Sequence, residues 1–157
     1  STSSNCDGEV FFESFESDDW DSLWIQDGQA LWHQSTDRAS DSNSSAAVVG
    51  PALDATLTSI PIDILDPDRQ HVLIYFDWYV LGFESGDYVA FDVSTDQGVT
   101  WQEKASFDGY GVVEGNALRV RIKLEDITSV QLRFRAKVTD SDGKAYLDAI
   151  DVLTSYH

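Results

Sequence analysis

Apolar and polar residues alternate with period two along most of this chain, in runs that are short. Between Val72 and Val80, Val72, Ile74, Phe76, Trp78 and Val80 interleave with Leu73, Tyr75, Asp77 and Tyr79. Successive side chains of a strand point to opposite faces, so the run predicts a core face and an outer face carrying Tyr75, Asp77 and Tyr79. Similar runs cover Ala46–Val49, Ala55–Ile60, Tyr88–Ser94, Val99–Lys104, Leu118–Leu124, Val130–Val138 and Ala145–Leu153. Turn signals separate them: Gly50-Pro51, Asp66-Pro67, Ser85-Gly86-Asp87, Asp108-Gly109 and Asp142-Gly143. No amphipathic helix of useful length is evident, and no fixed-period repeat that would build a propeller. Many short strands with regular turns predict an all-β fold, a two-sheet antiparallel β-sandwich of jelly-roll topology.

Composition narrows the class. A length of 157 residues suits one domain, and 42% hydrophobic residues supply a core without disulfides. The single cysteine, Cys6, excludes an intramolecular bridge. Residues 1–8 read as a linker or flexible N-terminus, and residues 9–157 as one sandwich module. With 28 acidic against 10 basic residues the net charge is −18, which excludes a simple nucleic-acid binder. Cation binding, a salty habitat and plain solubility all remain open as reasons for that charge. No run approaches the roughly 18 apolar residues of a membrane span, so no membrane insertion is expected. No signal peptide is visible, and Ser1 reads as the start of a mature or excised segment of a larger multidomain chain. Asn43-Ser44-Ser45 is a formal glycosylation sequon, meaningful in a eukaryotic secretory host.

The stretch from Phe91 to Trp101 reads as strand, tight turn, strand. Its spacing of Ser94, Asp96, Gly98 and Trp101, Ser-x-Asp-x-Gly-x-x-Trp, resembles the Asp-box hairpin of secreted β proteins. The Asp side chain is expected to cap the turn, Gly98 to accept a positive φ, and Trp101 to pin the hairpin to a core. The element carries no chemistry of its own. It points to an extracellular or cell-surface all-β module.

A longer ordered set of motifs carries a second resemblance. Phe15-Glu16 is followed by Trp20, Trp24 and Trp32, then by Ser44-Ser45-Ala46-Ala47-Val48 and Ala55 to Pro61. Val72 to Tyr79 comes next, and Leu132 to Ala136 and Tyr146 to Val152 close the series. In that order they resemble the MAM-type jelly roll in its cysteine-poor bacterial form, and several carbohydrate-binding jelly-roll families. The resemblance spans about residues 9–154 and implies an accessory module of a secreted enzyme or a part of a surface adhesin. It also implies a structural Ca²⁺ near the first and last strands, held by Glu16 and Asp148 with Glu13 and Asp151 as neighbours. Ca²⁺ takes six to eight oxygens, so residues distant in sequence share one ion. Two departures stand out. The paired cysteines of animal MAM domains are absent, and Ala149 follows Asp148 where the pattern often has a second acid.

Candidate ligand chemistry lies on the outward strand positions. Arg119, Arg121 and Lys123 alternate with apolar residues, as do Arg133, Arg135 and Lys137. Tyr75, Asp77 and Tyr79 point outward in the same way, and Tyr88 and Asp92 are expected to join them from the next strand. Tyr rings stack on the apolar faces of sugars, while Asp and Arg hydrogen-bond hydroxyls. Tyr75, Asp77, Tyr79, Tyr88, Asp92, Arg121, Arg133 and Arg135 are therefore the expected binding residues. The same charges would also make an ordinary cross-strand network. Trp20, Trp24, Trp32, Phe83 and Tyr110 offer an alternative grip from the loops, with Phe83 and Tyr110 the better placed for exposure. Catalysis is not expected: His33, His71 and His157 are scattered and no nucleophile signature accompanies them, although 28 acids leave a small glycoside hydrolase conceivable. The expectation is a calcium-stabilised module binding a polysaccharide or cell-surface glycan; the alternative is a protein-binding adhesion or assembly module.

Overall fold

A computed structural model of the chain describes residues 7–37, 43–64, 71–108, 118–125 and 127–155. The described strands are β1 (Asp7–Glu13), β2 (Trp24–Gln26), β3 (His33–Ser35), β4 (Ser45–Val49), β5 (Ala52–Ser59) and β6 (Ile62–Asp63). They continue with β7 (His71–Leu81), β8 (Tyr88–Ser94), β9 (Gln102–Phe107), β10 (Leu118–Leu124), β11 (Ser129–Val138) and β12 (Lys144–Ser155). One helical turn, α1 (Trp20–Leu23), precedes β2.

Two six-stranded sheets result. Sheet A runs β10-β7-β12-β4-β3 with β1 paired to β12; sheet B runs β2-β5-β11-β8-β9 with β6 paired to β11. The neighbours β7 and β8, β9 and β10, β10 and β11, and β11 and β12 belong to different sheets. The chain thus wraps around one core in the expected jelly-roll sandwich.

Period-two alternation sorts residues as expected. Val72, Ile74, Phe76, Trp78 and Val80 of β7 are buried, as are Val130, Leu132, Phe134, Ala136 and Val138 of β11. Phe76 of sheet A meets Phe91 and Phe134 of sheet B with ring centroids 4.7 and 5.1 Å away. Each such ring removed from water contributes about 1.5–3 kcal/mol, which makes this trio a main tie between the layers. Trp24 and Trp32 belong to the same core. Their indole N–H groups are satisfied inside it, Trp24 donating to Glu13 Oε1 at 2.8 Å and Trp32 to the Ala55 carbonyl at 3.0 Å.

Several expectations need correction. β1 begins at Asp7, two residues inside the stretch read as linker, because its backbone pairs with β12 from Asp7↔Ser155 onward. Residues 1–6, with Cys6, lie outside the described residues. β9 starts at Gln102 rather than Val99 because the turn before it is longer. Asp96 holds that turn, taking the Thr100 N–H at 2.9 Å and the Thr100 hydroxyl at 2.5 Å, while Gly98 adopts φ +89°. Trp101 does not enter the core. It is half-buried on the outer face of sheet B, with the Arg133 guanidinium 4.3 Å above its ring. The loop aromatics do not form an exposed grip either: Trp24 and Trp32 are buried, Trp20 and Phe83 pack partly buried against the core, and Tyr110 lies outside the described residues.

Two of the crossings between the sheets run side by side. The link from β4 to β5 contains Gly50, and the link from β11 to β12 contains Gly143; Gly50 N–H donates to the Gly143 carbonyl at 3.0 Å. A Cβ on Gly50 would lie 2.1 Å from the Asp140 carbonyl oxygen, so no other residue fits there without moving backbone.

Candidate functional site

The outer face of sheet A is ordered by strand register. Phe12 on β1 pairs with Asp151 on β12, Asp151 pairs with Tyr75 on β7, and Tyr75 pairs with Arg121 on β10. Phe12, Asp151 and Tyr75 are flanked on both sides by buried or core-packed neighbours, and Arg121 by the core-packed Ile122, which sends these four side chains outward. They form one row across four strands, about 14 Å long at the usual spacing of about 4.8 Å between strands. Phe12 is 44% exposed, Arg121 is exposed, and Tyr75 and Asp151 are half-buried. Two aromatic rings thus alternate with a carboxylate and end at a guanidinium.

A second row of the same face pairs Asp148 with Asp77, and a third pairs Tyr146 with Tyr79. The two tyrosine rings sit 6.0 Å apart and pack with Ala47 and Leu81 as a small cluster separate from the main core. Both are buried, at 6% and 5% exposure, although they point away from the sandwich interior. They lie beside the more open row. Asp148 is buried as well, at 3% exposure, and stands directly opposite Asp77. On its other side Asp77 is in register with Arg119 of β10, so a base stands in the same row as the two carboxylates. The sheet is deformed at the same place: β12 carries an extra residue between Asp148 and Asp151, and Ala149 adopts φ +52°. Asp148 Oδ1 accepts the Ala149 N–H at 2.8 Å, which holds the bulge. Bulges and non-glycine residues at positive φ concentrate where a sheet re-aims side chains for binding.

Sheet B presents a different outer face. Arg133 and Arg135 on β11 flank Asp92 on β8, which is 1% exposed. Asp92 Oδ2 accepts from Arg133 Nε at 2.8 Å and from Arg135 Nε at 2.6 Å, and Oδ1 accepts from Arg135 Nη2 at 3.1 Å. Arg135 also donates to Asp54 at 3.1 Å and to Glu103 at 2.8 Å. Its hydrogen bonds to Asp92 raise its pKa beyond the already high arginine value, against the opposing effect of burial. Tyr88 donates to Asp54 at 2.5 Å; burial first, and then this bond, push its hydroxyl up to about 12.

The expected binding residues are therefore divided. Tyr75, Asp77, Tyr79 and Arg121 share the outer face of sheet A, whereas Tyr88, Asp92, Arg133 and Arg135 share that of sheet B. No single face holds all eight, because β7 and β8 are consecutive in sequence but lie in opposite layers. The side chain of Arg119, also on β10, is outside what is described. Tyr146 and Phe12 join the sheet A face without having been singled out as binding residues. Tyr146 alternates with Asp148 at period two, a signal that was there to be found; the side of the sheet on which Phe12 lies follows only from β1 pairing with β12.

The four residues implied as calcium ligands lie around the end of β1, where Glu13 pairs with Ile150 between Asp148 and Asp151 of β12 and Glu16 follows three residues later. Glu13 is buried and both its oxygens are engaged, Oε2 with Phe15 N–H and Oε1 with the Trp24 indole, each at 2.8 Å. Glu16 is exposed and its Oε2 gathers the N–H groups of Asn43 and Ser44 at 3.1 and 2.6 Å. Asp148 and Asp151 flank the bulge on the outer face of sheet A. Among the described residues, no three His, Cys, Asp or Glu side chains converge as a metal cluster, and no helix is long and apolar enough to cross a membrane.

No protein-family model matches this chain, and no curated protein matches it in sequence. Solved structures do match in fold. The CBM22-1 xylan-binding domain of Paenibacillus barcinonensis Xyn10C is similar with a TM-score of 0.67 and 13% identity, over 97% of each chain. TmCBM61, solved with β-1,4-galactotriose, is similar with a TM-score of 0.59 and 11% identity, over 89% of this chain and 93% of its own. The K3 cleaved adhesin domain of Lys-gingipain from Porphyromonas gingivalis is similar with a TM-score of 0.60 and 12% identity, over 94% and 98%. At these identities the likeness shows the shared β-sandwich.

Proposed function

We propose that this chain is a non-catalytic carbohydrate-binding module that holds a polysaccharide or cell-surface glycan on the outer face of sheet A, as an accessory domain of a larger extracellular protein. The observation that carries the reading is the register row Phe12–Asp151–Tyr75–Arg121, beside the Tyr79–Tyr146 pair. Rings in such a row offer flat apolar faces to pyranoses, and Asp151, Asp77 and Arg121 offer acceptors and donors to hydroxyls. The likeness to a xylan-binding domain and to a module solved with a galactose trisaccharide supports the same use of the fold.

A glycan array tests it. Saturable binding to a defined sugar, weakened by Tyr75→Ala and unaffected by Arg133→Ala, is the expected result. Binding that survives Tyr75→Ala but fails with Arg133→Ala would move the site to sheet B. Silence on every glycan would favour the second reading, a protein-binding adhesion module, which the likeness to the Lys-gingipain adhesin domain supports.

Calcium belongs to the same proposal, with Glu16 as its first ligand. Glu13 is committed to Phe15 and Trp24, whereas Glu16 Oε1 accepts no hydrogen bond among the described residues. Backbone carbonyls would have to supply much of the remaining shell. Excess Ca²⁺ should raise the unfolding midpoint over EDTA at constant ionic strength, and Glu16→Gln should remove the difference. An unchanged midpoint in the native protein would eliminate the ion.

A further inference from the structure

A cleft of about 520 Å³ opens at the sheet edges, where β9 of sheet B and β10 of sheet A lie side by side at the margin of the sandwich. Its lining includes Lys104 and Gln102 from β9, Lys123 and Leu124 from β10, and Glu125 and Ile127 from the segment that follows. The volume lies within the range of sites for small organic ligands. Its chemistry runs against the rest of the molecule. In a chain with 28 acidic and 10 basic residues, two lysines and one carboxylate, Glu125, line this cleft.

Neither lysine is used up by the fold. Lys104 is exposed and has no partner among the described residues. Lys123 is paired with Glu125 only at 3.7 Å, between groups each more than half exposed, and Glu125 Oε2 is also shared with His71 Nδ1 at 3.3 Å. An exposed pair of that length contributes little, so an incoming anion can compete for the Lys123 ammonium. The global charge of −18 does not forbid this: at physiological salt the screening length is about 8 Å, and charges beyond it count for little. Leu124 and Ile127 add apolar surface, and the Gln102 amide adds a neutral donor and acceptor. A bare phosphate would leave that apolar surface uncovered. A sugar ring with one carboxylate matches all three: the ring face against Leu124 and Ile127, hydroxyls to Gln102, and the carboxylate between Lys104 and Lys123.

We propose that this cleft is an anionic-sugar subsite that takes a uronic acid unit, separate from the aromatic row on the face of sheet A. The two adjoin, since Arg121 at the end of the row and Lys123 at the cleft are two residues apart on β10. The cleft does not depend on the row, and the two are tested separately.

The probe is a glucuronate-containing disaccharide titrated into the full chain, followed by backbone amide shifts. Saturable shifts should centre on Gln102, Lys104 and Lys123. Lys104→Glu combined with Lys123→Glu should weaken binding at least tenfold, as should methyl esterification of the sugar, while Tyr75→Ala should leave the affinity unchanged. If the double charge reversal disturbs folding, Lys104→Gln with Lys123→Gln removes the charges more gently and should give the same loss. Equal binding of the ester, full affinity in the glutamine pair, or no saturable shift at the solubility limit would overturn the proposal. A glutamate-rich peptide binding as tightly as the uronate would overturn the sugar assignment.

Discussion

The outer faces of the two sheets draw on the same residue types and use them in opposite ways. On sheet B, Arg133 and Arg135 close around the buried Asp92, and Asp54, Glu103 and Tyr88 complete the network. On sheet A, the register sets Phe12, Asp151, Tyr75 and Arg121 in a row, and places Asp77 between Asp148 on β12 and Arg119 on β10. The sheet B face gathers two guanidinium groups on one buried carboxylate and is stabilised by doing so. The sheet A face lines up two rings with a carboxylate and a guanidinium, and it is the face proposed to hold the glycan. Residue type alone does not say which charges and rings share a face; cross-strand register does.

The sharpest way to break this comparison is Arg135→Ala. It removes the bidentate partner of a carboxylate that is 1% exposed and leaves Asp92 with Arg133 alone. A destabilisation of about 3 kcal/mol is expected in urea unfolding, the low end for a broken buried pair, with glycan affinity unchanged. A change below 1 kcal/mol would mean that the sheet B network is decorative.

Next comes the join that holds the two faces in relation to each other. Gly50→Ala forces a methyl group to within 2.1 Å of the Asp140 carbonyl, and should cost about 2 kcal/mol by overpacking. A stability equal to that of the native protein would show that the two crossings part easily.

Tyr75→Ala is expected to be nearly the reverse of Arg135→Ala. Titration calorimetry with the glycan found on the array should show about a tenfold loss of affinity, about 1.4 kcal/mol, with only a small drop in Tm because the ring is half-buried. A large loss of stability with unaltered affinity would make the row a structural feature like the one on sheet B.

The smallest effect is set by pH. The Tyr88 hydroxyl is raised from 10.0 to about 12 in the folded state, so it binds its proton more tightly there than in the unfolded chain. Its contribution to stability is fully present below pH 10 and is lost as the pH rises through about 12. A melting series across that window should show an alkaline decline that is shallower in Tyr88→Phe. An identical decline in both would assign it elsewhere. At the acid end, the Thr100 hydroxyl, the Thr100 N–H and the Ser94 hydroxyl hold Asp96 down at about 2. The turn therefore keeps its cap until the pH falls through that value.

Much of the strand pattern was legible in advance. β8 and β10 run from Tyr88 to Ser94 and from Leu118 to Leu124, the limits that alternation and turn signals set. The short strands β2, β3 and β6 were not, since two or three residues cannot display a period. Trp101 shows a different limit. The Asp-box resemblance placed it against a core, but β9 is an edge strand, and Arg133 from β11 reaches over the ring on the outer face.

The grouping of Tyr75 with Tyr88 and of Asp77 with Arg135 failed for a related reason. Alternation is a property of one strand and states on which side of that strand a residue lies. It is silent about which sheet the strand joins, because that choice is made by pairing with segments far away in the chain. The sequence by itself determined the sandwich, the core residues of its long strands and the outward direction of Tyr75, Asp77, Tyr79, Arg133 and Arg135. Only the tertiary structure decided that the first three share a face with Asp148, Asp151, Tyr146 and Phe12, while the two arginines close around Asp92 on the other side, because backbone register between distant strands fixes which side chains meet.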